Sequence, residues 1–148
     1  MIMPSIFFTA PEPTARTFRV NTPYPPTENI FLCGGVSNED VSMARAILLD
    51  RAWVSEMTND FATIQSLSEV WTWRMPEDLV ANLVAADDME LHLAAIVWAG
   101  AQEPSWRLRR SAQDAETLLT GMRKVALRAR TIGHRMYLSL SIGGGPSY

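Results

Sequence analysis

One stretch constrains the fold more than any other: a helical period between Ser111 and Gly133 gives way directly to a strand period ending at Ile142. Ala115, Leu118, Leu119, Met122, Val125, Ala126 and Ala129 recur at steps of three, one, three, three, one and three. That spacing makes one apolar stripe along a helix. Ser111-Ala112-Gln113-Asp114 supplies the start, with a hydroxyl for the open amides of the first turn and a carboxylate that reaches back to the cap amide. Gly133 supplies the stop, a residue that enters the left-handed conformation freely. Met136, Leu138, Leu140 and Ile142 then alternate with Arg135, Tyr137, Ser139 and Ser141, the period of a half-buried strand. Gly121 interrupts the helical stripe at about 1 kcal/mol relative to alanine, so either a neighbour approaches closely there or the glycine is tolerated drift.

A one-striped helix and a half-buried strand each need a covering layer, which predicts an α+β fold of several helices packed on a small mixed or antiparallel sheet. The 148 residues suffice for one core, and 47% hydrophobic with 20% charged residues is a globular composition. The expected organisation is an extended proline-rich arm over 1–28, one core domain over 29–142 and a flexible tail over 143–148. No apolar run reaches the roughly 18 residues a membrane span requires, so no membrane partner is expected. Met1-Ile2-Met3-Pro4 lacks the basic and apolar regions of a secretory signal, and one cysteine allows no internal disulfide. The expected location is the cytoplasm or the inside of a viral particle.

Along the chain, six of nine prolines fall between Pro4 and Pro26. Ser5 to Thr9 reads as a short strand and Arg16 to Asn21 as a second, before an extended path around Tyr24. An arm carrying Phe7, Phe8, Phe18 and Tyr24 must dock, on its own domain or on another copy. Asn29 to Cys33 reads as a strand ending at Gly34-Gly35, and Ser37 with Asp40 caps a helix running to about Met57. Phe61, Ile64, Leu67 and Trp71 continue at helical spacing, while Trp71 to Met75 also fits a strand. Pro76-Glu77-Asp78 opens a short helix to about Ala86. Asp87 to Trp98 favours a strand, because Met89, Leu91 and Leu93 alternate with polar residues and Trp106 to Arg109 would complete a hairpin. Asp87 as a cap and Gly100 as a terminator argue instead for a helix.

Charge is divided unevenly. Residues 107–148 hold Arg107, Arg109, Arg110, Arg123, Lys124, Arg128, Arg130 and Arg135 against two acids, a net +6, and residues 1–106 carry −9. Some of that excess complements the helix dipole. The remainder asks for an anionic neighbour: the acidic front of another copy, or nucleic acid, which a total charge of −3 disfavours.

Among small-molecule candidates, Gly34, Gly35 and Ser37 stand at a strand-to-helix turn where backbone amides can meet a nucleotide-like ligand. Ile30-Phe31-Leu32-Cys33-Gly34-Gly35 resembles the first strand and loop of nucleoside deoxyribosyltransferase-like proteins over those six residues. That family's catalytic carboxylate has no counterpart placed here. Glu39 and Asp40 in the first helical turn would repel phosphate. Asp88, Glu90 and His92 would share one strand face, or Asp88 and His92 one helix face, and could bind a divalent metal or act as acid and base, but no second ligand cluster accompanies them. Cys33 with His92 or His134 lacks the context of a nucleophile and base. No catalytic residue and no cofactor is assigned. The expected function is therefore non-enzymatic: a protein-binding or self-assembling structural subunit, such as a small viral or phage particle component, using the arm and the basic face. A binding protein or enzyme for a small nucleotide-like ligand, with its pocket at the strand–Gly–Gly–helix turn, is the alternative, and nucleic-acid binding through the arginine-rich third is a further one.

Overall fold

The computed structural model describes residues 4–18, 26–66, 69–101 and 110–141. Their strands form one five-stranded antiparallel sheet, with helices packed against it. The strands are β1 (Pro4–Ala10), β2 (Ile30–Gly34), β3 (Ala62–Ser66), β4 (Val70–Arg74) and β5 (Arg135–Ser141), arranged in the order β2-β1-β5-β4-β3. The α-helices are α1 (Glu12–Arg16), α2 (Asn38–Leu48), α3 (Glu77–Ala85), α4 (Asp88–Ala99) and α5 (Ala112–Ile132). The α+β architecture expected from the sequence is the one observed.

Strand alternation divides the apolar residues between the two sheet faces. Phe7, Trp73, Met136, Leu138 and Leu140 point toward α2 to α5 and join Leu79, Leu83, Leu91, Trp98, Leu119 and Met122 in the main core. Ile6, Phe8 and Tyr137 point the other way, where Ala15 and Phe18 cover them. There Phe8 stacks on Phe18 at 4.4 Å and on Tyr137 at 5.5 Å between ring centroids. Arg74 reaches over from β4 to hold Glu12 of α1, so an ion pair as well as apolar contact keeps that short helix on the sheet.

The N-terminal residues depart from the expected arm. Pro4–Ala10 is an inner strand, paired with β2 on one side and β5 on the other, and Phe7 and Phe8 are fully buried on opposite faces. Prolines bound this strand without interrupting it: Pro4 is its first residue, and Pro11 and Pro13 lie at the start of α1, where a missing N–H is tolerated. Arg16, expected in a second strand, ends α1, while Tyr24 lies outside the described residues.

Three further expectations are corrected. Asp87 to Trp98 is helical, because a reciprocal pair of hydrogen bonds between Asp87 and Glu90 caps α4 and satisfies its first amides. Its expected hairpin partner, 106–109, lies outside the described residues. β3 and β4 pair antiparallel despite helical spacing, a bulge between Thr63 and Gln65 shifts their register, and Leu67 lies outside the described residues. The helix opened by Ser37 ends at Leu48 rather than near Met57: Asp50 turns the chain out at φ 55°, a left-handed conformation aspartate accepts more readily than most residues. Arg45, buried in the last turn of α2, ties that helix to α3 by a two-pronged contact with Asp78 (2.9 and 2.8 Å) and to the turn before β3 by a bond to Asp60.

The α5–β5 unit has the helix and strand read from the sequence, but β5 is not half-buried: Tyr137, Ser139 and Ser141 are covered as well as Met136, Leu138 and Leu140, and Ile142 lies outside the described residues. Ser111 and Asp114 form the capping box, and Gly133 closes the helix at φ 75°. Gly121 also has its reason: a Cβ there would stand 2.4 Å from the ring of Phe31, so β2 packs directly on the helix backbone.

Candidate functional site

The strand–glycine–helix turn is a closed hydrogen-bond circuit. Gly35 takes φ 63°, and the next amide, Val36 N–H, donates to Ser5 Oγ at 2.9 Å, while the Ser5 hydroxyl donates back to Val36 O. Ser37 N–H donates to the Asp40 carboxylate at 3.0 Å, and Asp40 N–H to Ser37 Oγ. Arg110 caps the Gly34 carbonyl. The amides of Val36 and Ser37, which an anionic ligand would need, therefore already have partners, and a carboxylate occupies the anion position. Burial pushes the Asp40 carboxyl up, with the Ser37 hydrogen bonds acting against it. Burial likewise pushes the Cys33 thiol up to about 12, opposed by the Arg110 charge, so it stays protonated at neutral pH and is a poor nucleophile.

Of the basic residues expected to form one face, Arg123, Arg128 and Arg135 meet acids of the same chain. Arg123 bonds Asp88 at 2.6 Å and the Ala86 carbonyl at 3.2 Å. Arg128 holds Asn29 at 2.8 Å with Glu28 at 3.5 Å, and Arg135 pairs with Glu77 at 2.6 Å. Each of these three acids comes from the acidic part of the same chain. Three of the eight cations are thus answered inside the molecule by contacts that orient helices and strands, each worth about 0–1 kcal/mol where exposed. Lys124 and Arg130 project outward from α5 without an acidic partner among the described residues, and Arg107 and Arg109 lie outside them.

Asp88, Glu90 and His92 share α4 but do not converge. Asp88 faces Arg123, Glu90 caps its own helix, and His92 Nδ1 lies 2.6 Å from Glu116 Oε1 on α5. Among the described residues no group of three or more histidine, cysteine, aspartate or glutamate side chains could hold a metal ion. His92 and Glu116 instead border a shallow groove of about 690 Å³ along α5, with Phe31, Thr117, Thr120 and Lys124 also lining it.

The surface that sequence reasoning missed is the outer side of α4. Leu91, Ala94, Ala95 and Trp98 face the core, yet Met89, Leu93, Ile96 and Val97 stay exposed at 63%, 56%, 48% and 57%. Steps of four, three and one place these four on one stripe. A helix apolar on all sides ordinarily lies wholly within a core, whereas among the described residues α4 is covered on only one of its apolar sides. The signal was present in the sequence, since the Asp87–Glu90 capping box precedes twelve residues that include both apolar sets. Two further helices, α5 and α2, are in contact with it. Among the described residues no helix is long and apolar enough to cross a membrane. No protein-family model, curated protein or solved structure matches the chain.

Proposed function

We propose that this chain is a non-enzymatic subunit that acts by binding protein, and that its contact face is the outer side of α4. One observation carries the reading: four large apolar side chains stand about half exposed on a single helix stripe. Single exposed leucines are ordinary, but a contiguous stripe of this kind marks a contact surface. The proposal keeps the protein-binding role read from the sequence and moves its location, because Phe7, Phe8 and Phe18 are core residues and Arg123, Arg128 and Arg135 have partners in their own chain. A particle built from many copies would need more than one such face, so α4 supports a pairwise contact only.

The test is site-specific photo-crosslinking from position 93 in the cells that make the protein. The expected result is a discrete protein adduct, self-adducts included, that Ile96→Glu abolishes while the circular dichroism spectrum is unchanged. If position 93 captures no protein, the reading is wrong.

A further inference from the structure

We infer that the trough along the outer side of α5 binds a small organic anion with a flat apolar body, the class to which nucleoside monophosphates belong. The inference is independent of the contact-face reading, because it uses none of Met89, Leu93, Ile96 and Val97.

Shape is the first argument. α5 is flanked by β2 on one side and α4 on the other: Gly121 packs against the Phe31 ring, and Glu116 meets His92. Between these flanks its outward residues are short. Thr117, Thr120 and Gly121 set the floor of the hollow of about 690 Å³ described above. A second hollow of about 500 Å³ continues toward the end of the helix. Thr120 and Lys124 line both, so the two form one trough. Each volume falls within the roughly 300–1,000 Å³ of small-ligand sites.

The two halves differ in chemistry. The first offers the half-buried Phe31 ring as an apolar wall, with Gln113 and Glu116 as polar groups beside it. A flat aromatic body can lie against such a ring and hydrogen-bond along its own edge. The second half is lined by Arg123, Lys124 and Arg128 against one acid, Glu28. Arg123 is committed to Asp88 and the Ala86 carbonyl. Arg128 donates from Nε to Asn29, and its contact with Glu28 is loose at 3.5 Å. Lys124 has no acidic partner among the described residues and stands beside the Thr120 hydroxyl. An ammonium, a guanidinium and a hydroxyl on one hollow are a donor set for phosphate or carboxylate.

Spacing joins the halves. Phe31 lies at the level of Gly121, and Lys124 and Arg128 follow three and seven residues later, about 5 and 10 Å along the helix axis. The ring and the phosphate of a nucleoside monophosphate are separated by a distance in that range. Inorganic phosphate would use only the second half, and an uncharged nucleoside only the first.

The same geometry limits the strength. The trough is open to water, and the negative end of the α5 dipole lies within about a turn of Arg128 and opposes an anion. Affinity therefore rests on the cations and the ring together, and a Kd of about 0.1–1 mM is expected.

Titration of the isotope-labelled full chain with adenosine, guanosine, cytidine and uridine monophosphates, followed by amide chemical shifts, tests this. The expected result is that at least one of them shifts amides within residues 113–131, with the matching nucleoside and inorganic phosphate each at least about tenfold weaker. Lys124→Glu, which reverses the unpaired charge, and Thr120→Trp, which fills the floor common to both hollows, should each weaken binding at least about tenfold. Both positions are exposed, and thermal unfolding checks that each variant still folds. The inference is overturned if no monophosphate shifts those amides up to about 10 mM, a concentration that would reveal even weak binding. Inorganic phosphate or the nucleoside binding as tightly as the monophosphate also overturns it, as does binding indifferent to either substitution.

Discussion

Helices α4 and α5 lie side by side on the same sheet face, run antiparallel, and begin with the same kind of capping box, yet they meet water differently. The outer surface of α5 carries Gln113, Thr117, Thr120 and Lys124, with Leu127 the one large apolar residue there at 45% exposure. Its flanks are fixed by Arg123 to Asp88 on one side and Arg128 to Asn29 on the other. By contrast, α4 presents four large apolar residues outward and few ionic contacts of its own. The difference separates two tasks within one layer. The buried stripe of α5 is explained by the fold it completes, whereas the outer half of α4 has no explanation among the described residues.

The largest effect that sharpens this comparison is expected at Leu91. It is 1% exposed, so Leu91→Ala should cost about 2–5 kcal/mol, read from chemical denaturation. On α5, Gly121→Ala should cost about 1–2 kcal/mol, because overpacking against Phe31 exceeds the roughly 1 kcal/mol of helix propensity gained. In a Phe31→Leu background the same change should become neutral or stabilising, and a double-mutant cycle showing no coupling would remove Phe31 as the reason for the glycine. Removing the caps tests whether the two helices are locally alike: Ser111→Ala and Asp87→Ala should each cost about 1 kcal/mol. The smallest effect is the most telling. Leu93→Ala, two residues from Leu91 in the same helix, should change the stability of dilute monomer by no more than about 0.5 kcal/mol. A loss at Leu93 comparable to that at Leu91 would mean the outer face is covered within the monomer.

The same contrast explains which elements are legible in the sequence. α5 is legible because it has one buried side, which leaves a single period in its residues, and β5 is legible because Met136, Leu138 and Leu140 alternate with Tyr137, Ser139 and Ser141 although both of its faces are covered. The α+β class follows from them. α4 is not, because an all-round apolar helix also contains alternating residues, and Met89, Leu91 and Leu93 imitate a strand although Leu91 alone faces the core. The β3–β4 pair is hidden by the opposite coincidence: Phe61, Ile64 and Trp71 fall at helical spacing, while Ile64 lies at the bulge of a strand. Summed charge locates the cations of the last third but does not identify their partners. Glu28, Glu77 and Asp88 meet arginines only after the chain returns on itself. The candidate contact face is therefore hidden by the misread helix, and the basic face is suggested by acids and bases not yet paired.

The strand order has a consequence for how the molecule is made. β1 lies between β2 and β5, and Ser5 is paired with Leu140. As synthesis proceeds, β1 can meet β2 early, but its other edge stays open, and Phe7 lacks much of its cover, until β5 and the helix preceding it have been produced. Closing the sheet joins residues from opposite ends of the described chain, and such non-local pairing moves folding toward milliseconds to seconds instead of microseconds. During that interval β1, rich in phenylalanine and unpaired along one edge, is the segment most exposed to mispairing between chains. A chaperone that shields β1 until β5 arrives would raise the folded yield more than one acting on any later strand.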